Sequence, residues 1–274
     1  MKDLPYIDDG DEYHKLDVLA PVLGKENGIV LFYIHGGAYL YGKKEYAQIF
    51  NSWFTNQGYT VVSINYRLID PSENIDIEDQ IRDVFAAIKF VYEFRHEYKL
   101  NFDKFCLMGD SAGGHLCLMT DLVMHSKELQ EYYKISDVPP VDIKCIALNS
   151  TMYNFKSLVP LARKYLTKKG TEKVLGNRCF DDEFIKQNSP KNYVEKGYKF
   201  SPLFNSSSYH DYFNGQSLGL KHDAKTYNLD LEFLFETSPR KCIGHIYNHF
   251  VFDDEGLKCN NAMSAFFKKH CGVE

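Results

Sequence analysis

Phe105-Cys106-Leu107-Met108-Gly109-Asp110-Ser111-Ala112-Gly113-Gly114 is the stretch on which the fold turns. Its first four residues form a short apolar run bounded by a turn signal, which reads as a buried strand. A helix follows through Leu116, Leu118 and Met119. Ser111 therefore stands on a sharp strand-to-helix turn, where small flanking residues permit the tight backbone. Such a turn holds the serine Oγ above the sheet, and the N-terminus of the next helix favours negative charge there. Gly-x-Ser-x-Gly is common by chance, but between a strand and a helix it marks Ser111 as a nucleophile. Serine is also a good helix N-cap, and that rival reading is outweighed by a second motif aimed at the same place.

The second motif is His35-Gly36-Gly37-Ala38-Tyr39, which ends the apolar run Gly28–Ile34. Two bare glycines let backbone N–H groups approach a developing alkoxide. Gly36, Gly37 and the Ala112 amide are thus expected to form an oxyanion hole, in which one donor is worth about 2.7–4 kcal/mol.

Further along the chain, strand-like runs alternate with helix-period segments. Residues 45–57 carry Tyr46, Ile49, Phe50, Trp53 and Phe54 at helical spacing before Gly58, and residues 59–68 read as the next strand. Ile77, Ile81, Val84, Phe85, Ile88, Val91 and Tyr92 trace one face of a long helix. Strands are expected at 141–148 and 231–236, an extended segment at 199–208, and helices at about 216–226 and 255–269. The alternation predicts an α/β fold with a mostly parallel sheet covered by helices, formed by residues 1–274 as one domain. Residues 151–189 break the pattern and read as an inserted cap over one end of the sheet.

Composition narrows the function. A formal charge of −5 supplies no basic field, so neither nucleic acid nor an anionic membrane is an expected partner. The seven cysteines show no CxxC pair and no Cys/His ligand spacing, which argues against structural zinc or a disulfide framework. Cys106 and Cys145, inside apolar runs, read as buried small hydrophobes. The acidic N-terminus has no apolar signal region, and no apolar window is long enough to span a bilayer. A cytoplasmic, reduced protein is the expectation.

His35-Gly36-Gly37-Ala38-Tyr39 followed by Gly109-Asp110-Ser111-Ala112-Gly113-Gly114 resembles the hormone-sensitive-lipase-like and acetyl-esterase branch of the α/β hydrolases. Tyr66-Arg67-Leu68 matches the end of that branch's characteristic strand. The likeness runs from about Leu16 to Phe267 and is weakest in residues 151–189. It implies an eight-stranded sheet, a cap, a Ser–Asp–His triad in that chain order, and no metal or cofactor. The implied activity is hydrolysis of small-molecule carboxylic esters.

Two carboxylates and two histidines compete for the remaining triad places. Asp211 follows an extended segment and precedes a helix-length stretch, as expected for the acid; Asp223 lies within that stretch and reads as a solvated helical carboxylate. Asp211 is preferred, because the chain from it to His245 accommodates a helix, a strand and a loop. His245 is preferred as base over His249, because the family histidine is commonly followed one residue on by an aromatic, here Tyr247. The family's His-Gly-Phe is His245-Ile246-Tyr247 in this chain, so the loop lacks its glycine. His249 reads as a loop histidine beside Phe250, His115 as a helix-face residue under the site, His210 as pointing away, and His35 as a loop anchor.

Tyr39, Tyr41, Tyr153 and Phe155 are expected to wall a pocket for short acyl groups. The same parts would serve an arylformamidase or another amidase, and the fold can also carry an inactive small-molecule binder. Oligomeric state leaves no signature in the sequence.

Overall fold

The run Val30–Ile34 lacks polar alternation because both of its faces are covered. Val30, Phe32 and Ile34 enter one hydrophobic layer, and Leu31 and Tyr33 enter the other. This strand is the third of eight in the computed structural model, which describes residues 1–70, 72–165 and 167–273.

In chain order the first elements are β1 (Leu4–Pro5), β2 (Lys15–Leu19), β3 (Val30–Ile34), α1 (Gln48–Asn56), β4 (Thr60–Ile64) and α2 (Ile77–Glu93). Then come β5 (Phe105–Asp110), α3 (Ala112–His125), α4 (Lys127–Tyr132) and β6 (Ile143–Asn149). Four short helices follow, α5 (Phe155–Tyr165), α6 (Lys168–Leu175), α7 (Asp182–Gln187) and α8 (Pro190–Glu195). The chain closes with β7 (Leu203–Ser208), α9 (Asn214–Tyr227), β8 (Leu231–Glu236) and α10 (Asp254–His270).

The strands lie in the order β1-β2-β4-β3-β5-β6-β7-β8. β1 and β2 form an antiparallel edge, and every pairing from β4 onward is parallel. Apolar residues of α2 and α3, among them Ile81, Val84, Leu116 and Leu122, fill one layer. Phe50 and Phe54 of α1 with Met263, Phe266 and Phe267 of α10 fill the other. Leu158 of α5 and Phe184 of α7 join the α2–α3 layer, so the helical insert between β6 and β7 rests on that side.

The chain leaves β3 for β4 on one side and returns to β5 on the other. That reversal opens a crevice at the carboxyl ends of β3 and β5, where open α/β sheets bind ligands. The register pairs Ile34 with Gly109, so His35-Gly36 emerges beside Asp110-Ser111.

Several boundaries differ from the sequence expectation. The strand expected over 59–68 stops at Ile64, because the next residues turn inward to polar partners. The Tyr66 hydroxyl donates to the His35 carbonyl (2.7 Å) and the Arg67 guanidinium pairs with buried Asp83 (2.6 Å). The helix expected over 45–57 begins as a 3-10 turn, Lys44–Ala47, before α1. Within the stretch 151–189, Leu166 lies outside the described residues.

Candidate active site

Ser111 sits at φ 53°, ψ −115°, a sparsely populated conformation that costs on the order of 1–3 kcal/mol unless its surroundings enforce it. They do: its N–H donates to the Asn149 carbonyl on β6 (2.8 Å), and its own carbonyl accepts from Met152 (3.3 Å) and His115 (3.2 Å). The flanking glycines have a steric cause. A Cβ on Gly113 would lie 2.1 Å from the Ile34 carbonyl oxygen, and one on Gly109 would lie 2.6 Å from the Gly113 oxygen. Strand and helix cross too closely there for any side chain.

His245 reaches this serine from the loop after β8, with Nε2 2.9 Å from Ser111 Oγ. Its Nδ1 is 2.8 Å from Asp211 Oδ1. The carboxylate can only accept, so Nδ1 carries the proton and Nε2 is left to accept from the serine hydroxyl. Asp211 follows β7, its side chain fully buried. It also accepts from the Phe213 amide (2.9 Å) and the Ser207 hydroxyl (3.0 Å). Burial pushes its carboxyl up, but the hydrogen bond and charge of His245 outweigh burial and hold Asp211 below the usual carboxylate range. Three residues from three loops thus form one hydrogen-bonded row.

The other candidates go elsewhere. Asp223 is not solvated, as expected from sequence, but buried; its carboxylate accepts from Lys191 Nζ (2.6 Å) and the Tyr153 hydroxyl (3.0 Å). His249 does not pack beside Phe250, which is exposed. Its ring stacks on Phe50 (centroids 4.5 Å apart, 8° between planes), and Nε2 donates to Asp110 Oδ2 at 2.6 Å. His115 Nε2 donates to the Asn188 carbonyl (2.9 Å) beneath the site, and burial lowers its pKa to about 4. Burial lowers His35 to about 4 as well, and its Nδ1 donates to the Gly36 carbonyl (2.6 Å), which braces the loop.

Asp110 is a residue that sequence reasoning passed over. Its buried carboxylate accepts from the Tyr33 hydroxyl (2.5 Å), Asn248 Nδ2 (3.1 Å) and His249. Burial pushes its pKa up, yet the His249 charge and these donors outweigh burial and hold the group low. The signal was an aspartate inside an otherwise small and apolar turn, which needs a cationic partner if it is buried.

The loop after β3 meets the nucleophile directly. A Cβ on Gly36 would come within 2.9 Å of the Asp110 carbonyl oxygen and 3.2 Å of Ser111 Cβ. Gly37, at φ 129°, has the Tyr41 carbonyl oxygen 1.7 Å from where its Cβ would be. Ala112 opens α3, so its amide belongs to the helix's unsatisfied first turn. Ile246 takes the place of the family glycine at φ 50°, ψ 38°, a conformation costing an L-residue roughly 1–2 kcal/mol. Its amide donates to Ser150 Oγ (3.1 Å), which ties the loop carrying His245 to the end of β6.

Two cavities meet at Ser111. One, of ≈ 360 Å³, is apolar, with Tyr39, Ala112, Met152, Leu158, Leu175 and Phe213 in its wall. The other, of ≈ 190 Å³, is more polar, and His35, Gly36, Gly37, Tyr41, His245 and His249 are among its lining residues. Tyr39 therefore borders the apolar cavity and Tyr41 the more polar one. Tyr153 and Phe155 do not line either cavity, contrary to the sequence expectation. Both are buried: Tyr153 is drawn to Asp223, and Phe155 packs behind Tyr39 with centroids 6.0 Å apart.

A mostly parallel eight-stranded sheet with this row at its carboxyl edge defines an α/β hydrolase. Within that class the chain belongs to the BD-FAE family, whose model matches residues 16–208. It is 28% identical over 123 residues to a probable isoprenylcysteine α-carbonyl methylesterase of Arabidopsis thaliana, covering 45% of this chain and 25% of that protein. It is 29% identical over 102 residues to an acetyl esterase of Salmonella schwarzengrund, covering 37% of this chain and 31% of that protein. The matched stretch thus spans a third or less of these curated relatives. Among solved structures, esterase B of Lactobacillus rhamnosis superposes with a TM-score of 0.87 at 24% identity, covering 99% of this chain and 85% of that one. A truncated carbohydrate esterase from gut microbiota superposes at 0.76 with 20% identity, covering 99% and 96%.

Proposed function

We propose that this protein is a serine carboxylesterase acting on small-molecule esters. The observation that carries the reading is the continuous row from buried Asp211 through His245 to Ser111. Ser111 Oγ attacks the ester carbonyl while His245 Nε2 takes its proton, and Asp211 holds the imidazole in the required tautomer. The amides of Gly36, Gly37 and Ala112 stabilise the tetrahedral oxyanion. His245 then protonates the leaving alcohol, and a water, deprotonated by the same ring, releases the acid from Ser111.

The apolar cavity accepts the acyl group, and the more polar one the alcohol. Leu158 and Leu175, from the insert between β6 and β7, close the apolar side; residues 151–189 act as the cap. That closure favours short acyl chains. The names of relatives support the reading: acetyl esterase in Salmonella, and an esterase B structure inhibited with a C4 tributyrin phosphonate.

The test is fluorophosphonate labelling together with hydrolysis of p-nitrophenyl esters of increasing acyl length. The parent labels, Ser111→Ala does not, and acetate and butyrate outrun octanoate. A folded parent that fails to label withdraws the reading. An octanoate preference overturns the short-acyl assignment alone.

A further inference from the structure

Far from the site, three of the seven cysteines meet. Cys106 lies near the start of β5, at the end of that strand opposite Ser111. A register shift between β5 and β6 between Phe105 and Leu107 brings Cys145 alongside, with the two Sγ atoms 3.5 Å apart. Cys271, immediately after α10, places its Sγ 3.4 Å from that of Cys106. Cys106 and Cys145 are fully buried, whereas Cys271 is partly exposed. Reagents in solution therefore reach this cluster through Cys271. Among the described residues, no group of three or more His, Cys, Asp or Glu side chains is arranged to hold a metal ion.

We propose that Cys271 and Cys106 form a reversible disulfide under peroxide, stapling the end of α10 to β5. The sulfurs must close from 3.4 Å to about 2.05 Å. Cys271 can make that movement because it follows the last helix, whereas Cys145 is fixed in the interior of the parallel sheet. The hydrogen bonds of Cys106 and Cys145, with Lys104 and His270 nearby, lower the pKa of Cys271 and favour its thiolate; the thiolate is the attacking species.

Hydrogen peroxide or an organic hydroperoxide is the oxidant. The Cys271 thiolate attacks a peroxide oxygen, the O–O bond breaks, and Cys271 becomes a sulfenic acid as hydroxide or alkoxide leaves with a proton. Cys106 sulfur then attacks the sulfenic sulfur. The S–S bond forms, the S–O bond breaks, and hydroxide departs with the Cys106 proton as water. Two thiols are oxidised and one peroxide is reduced.

The experiment treats the full chain with stoichiometric hydrogen peroxide, blocks remaining thiols with N-ethylmaleimide and maps peptides by mass spectrometry. A peptide pair linked through Cys106 and Cys271 is expected, along with a rise in melting temperature, both reversed by dithiothreitol. The link is lost in Cys271→Ser and kept in Cys145→Ser. Mapping of the parent decides the matter even if a variant folds poorly. A Cys106–Cys145 link, Cys271 recovered only as sulfinic acid, or no link at all overturns the proposal. None of these outcomes depends on the esterase reading.

Discussion

Replacing His249 with alanine separates two histidines that lie four residues apart and pair with different carboxylates. His249 holds Asp110, and His245 holds Asp211. The Asp110 side chain is 1% exposed and that of His249 20%, so His249→Ala strands a buried carboxylate. Removing one partner of a buried pair typically costs about 3–5 kcal/mol. Asp110 keeps the Tyr33 hydroxyl and the Asn248 amide, which puts the expectation near ~3 kcal/mol, the low end of that range. At about 2–4 °C per kcal/mol for a chain of this size, the melting temperature falls by roughly 6–12 °C at neutral pH. The pH dependence has a definite sign. Asp110 is held below its usual range, so its contribution is present above the unfolded carboxylate value, about 3.9, and is lost as pH falls through the lower folded value. The gap between parent and variant therefore narrows in acid. In the assay, thermal melts at neutral and acidic pH are paired with ester hydrolysis. His249→Ala keeps kcat within about tenfold, a barrier change of about 1.4 kcal/mol, while His245→Ala loses on the order of 10⁶-fold. Equal melting of variant and parent would refute the buried-pair account. A loss of activity in His249→Ala as deep as in His245→Ala would refute the choice of base.

Three further outcomes are expected. Asp211→Asn lowers kcat by about 10⁴-fold through the wrong imidazole tautomer, whereas Asp223→Asn, which releases Lys191 and Tyr153, lowers melting temperature but spares kcat; steady-state kinetics and melts on both variants check this. Gly113→Ala forces a Cβ to 2.1 Å from the Ile34 oxygen, so soluble yield and melting temperature fall sharply. Leu158→Ala enlarges the apolar cavity and moves the preference toward longer acyl chains. By contrast, Phe155→Ala costs about 3–5 kcal/mol of stability as a core truncation and leaves the ranking of p-nitrophenyl esters unchanged.

The class of fold and the strained turn that carries Ser111, the proposed nucleophile, were legible in the sequence because their signals are local. A strand, a turn and a helix occupy consecutive residues from Phe105 to His125, and the glycines that let them cross are part of the same short motif. Alternating apolar runs likewise announced a sheet buried on both faces, although β4 ended four residues before expectation, where Tyr66 and Arg67 turn to tertiary partners. Sequence spacing preferred Asp211 and His245 over their rivals, but only the tertiary structure set the distances between them and gave His249 its own carboxylate in Asp110. Asp110 and His249 are 139 residues apart, and His245 and Ser111 are 134 apart. Asp223, apparently a surface residue, found a lysine and a tyrosine to bury it. Tyr153 and Phe155 had the composition of pocket walls but line neither cavity at Ser111. Periodicity tells which residues are buried, but whether they border a cavity depends on what packs against them. The meeting of Cys106, Cys145 and Cys271 was equally invisible, since thiols isolated along the chain become neighbours only when β5, β6 and the end of α10 converge.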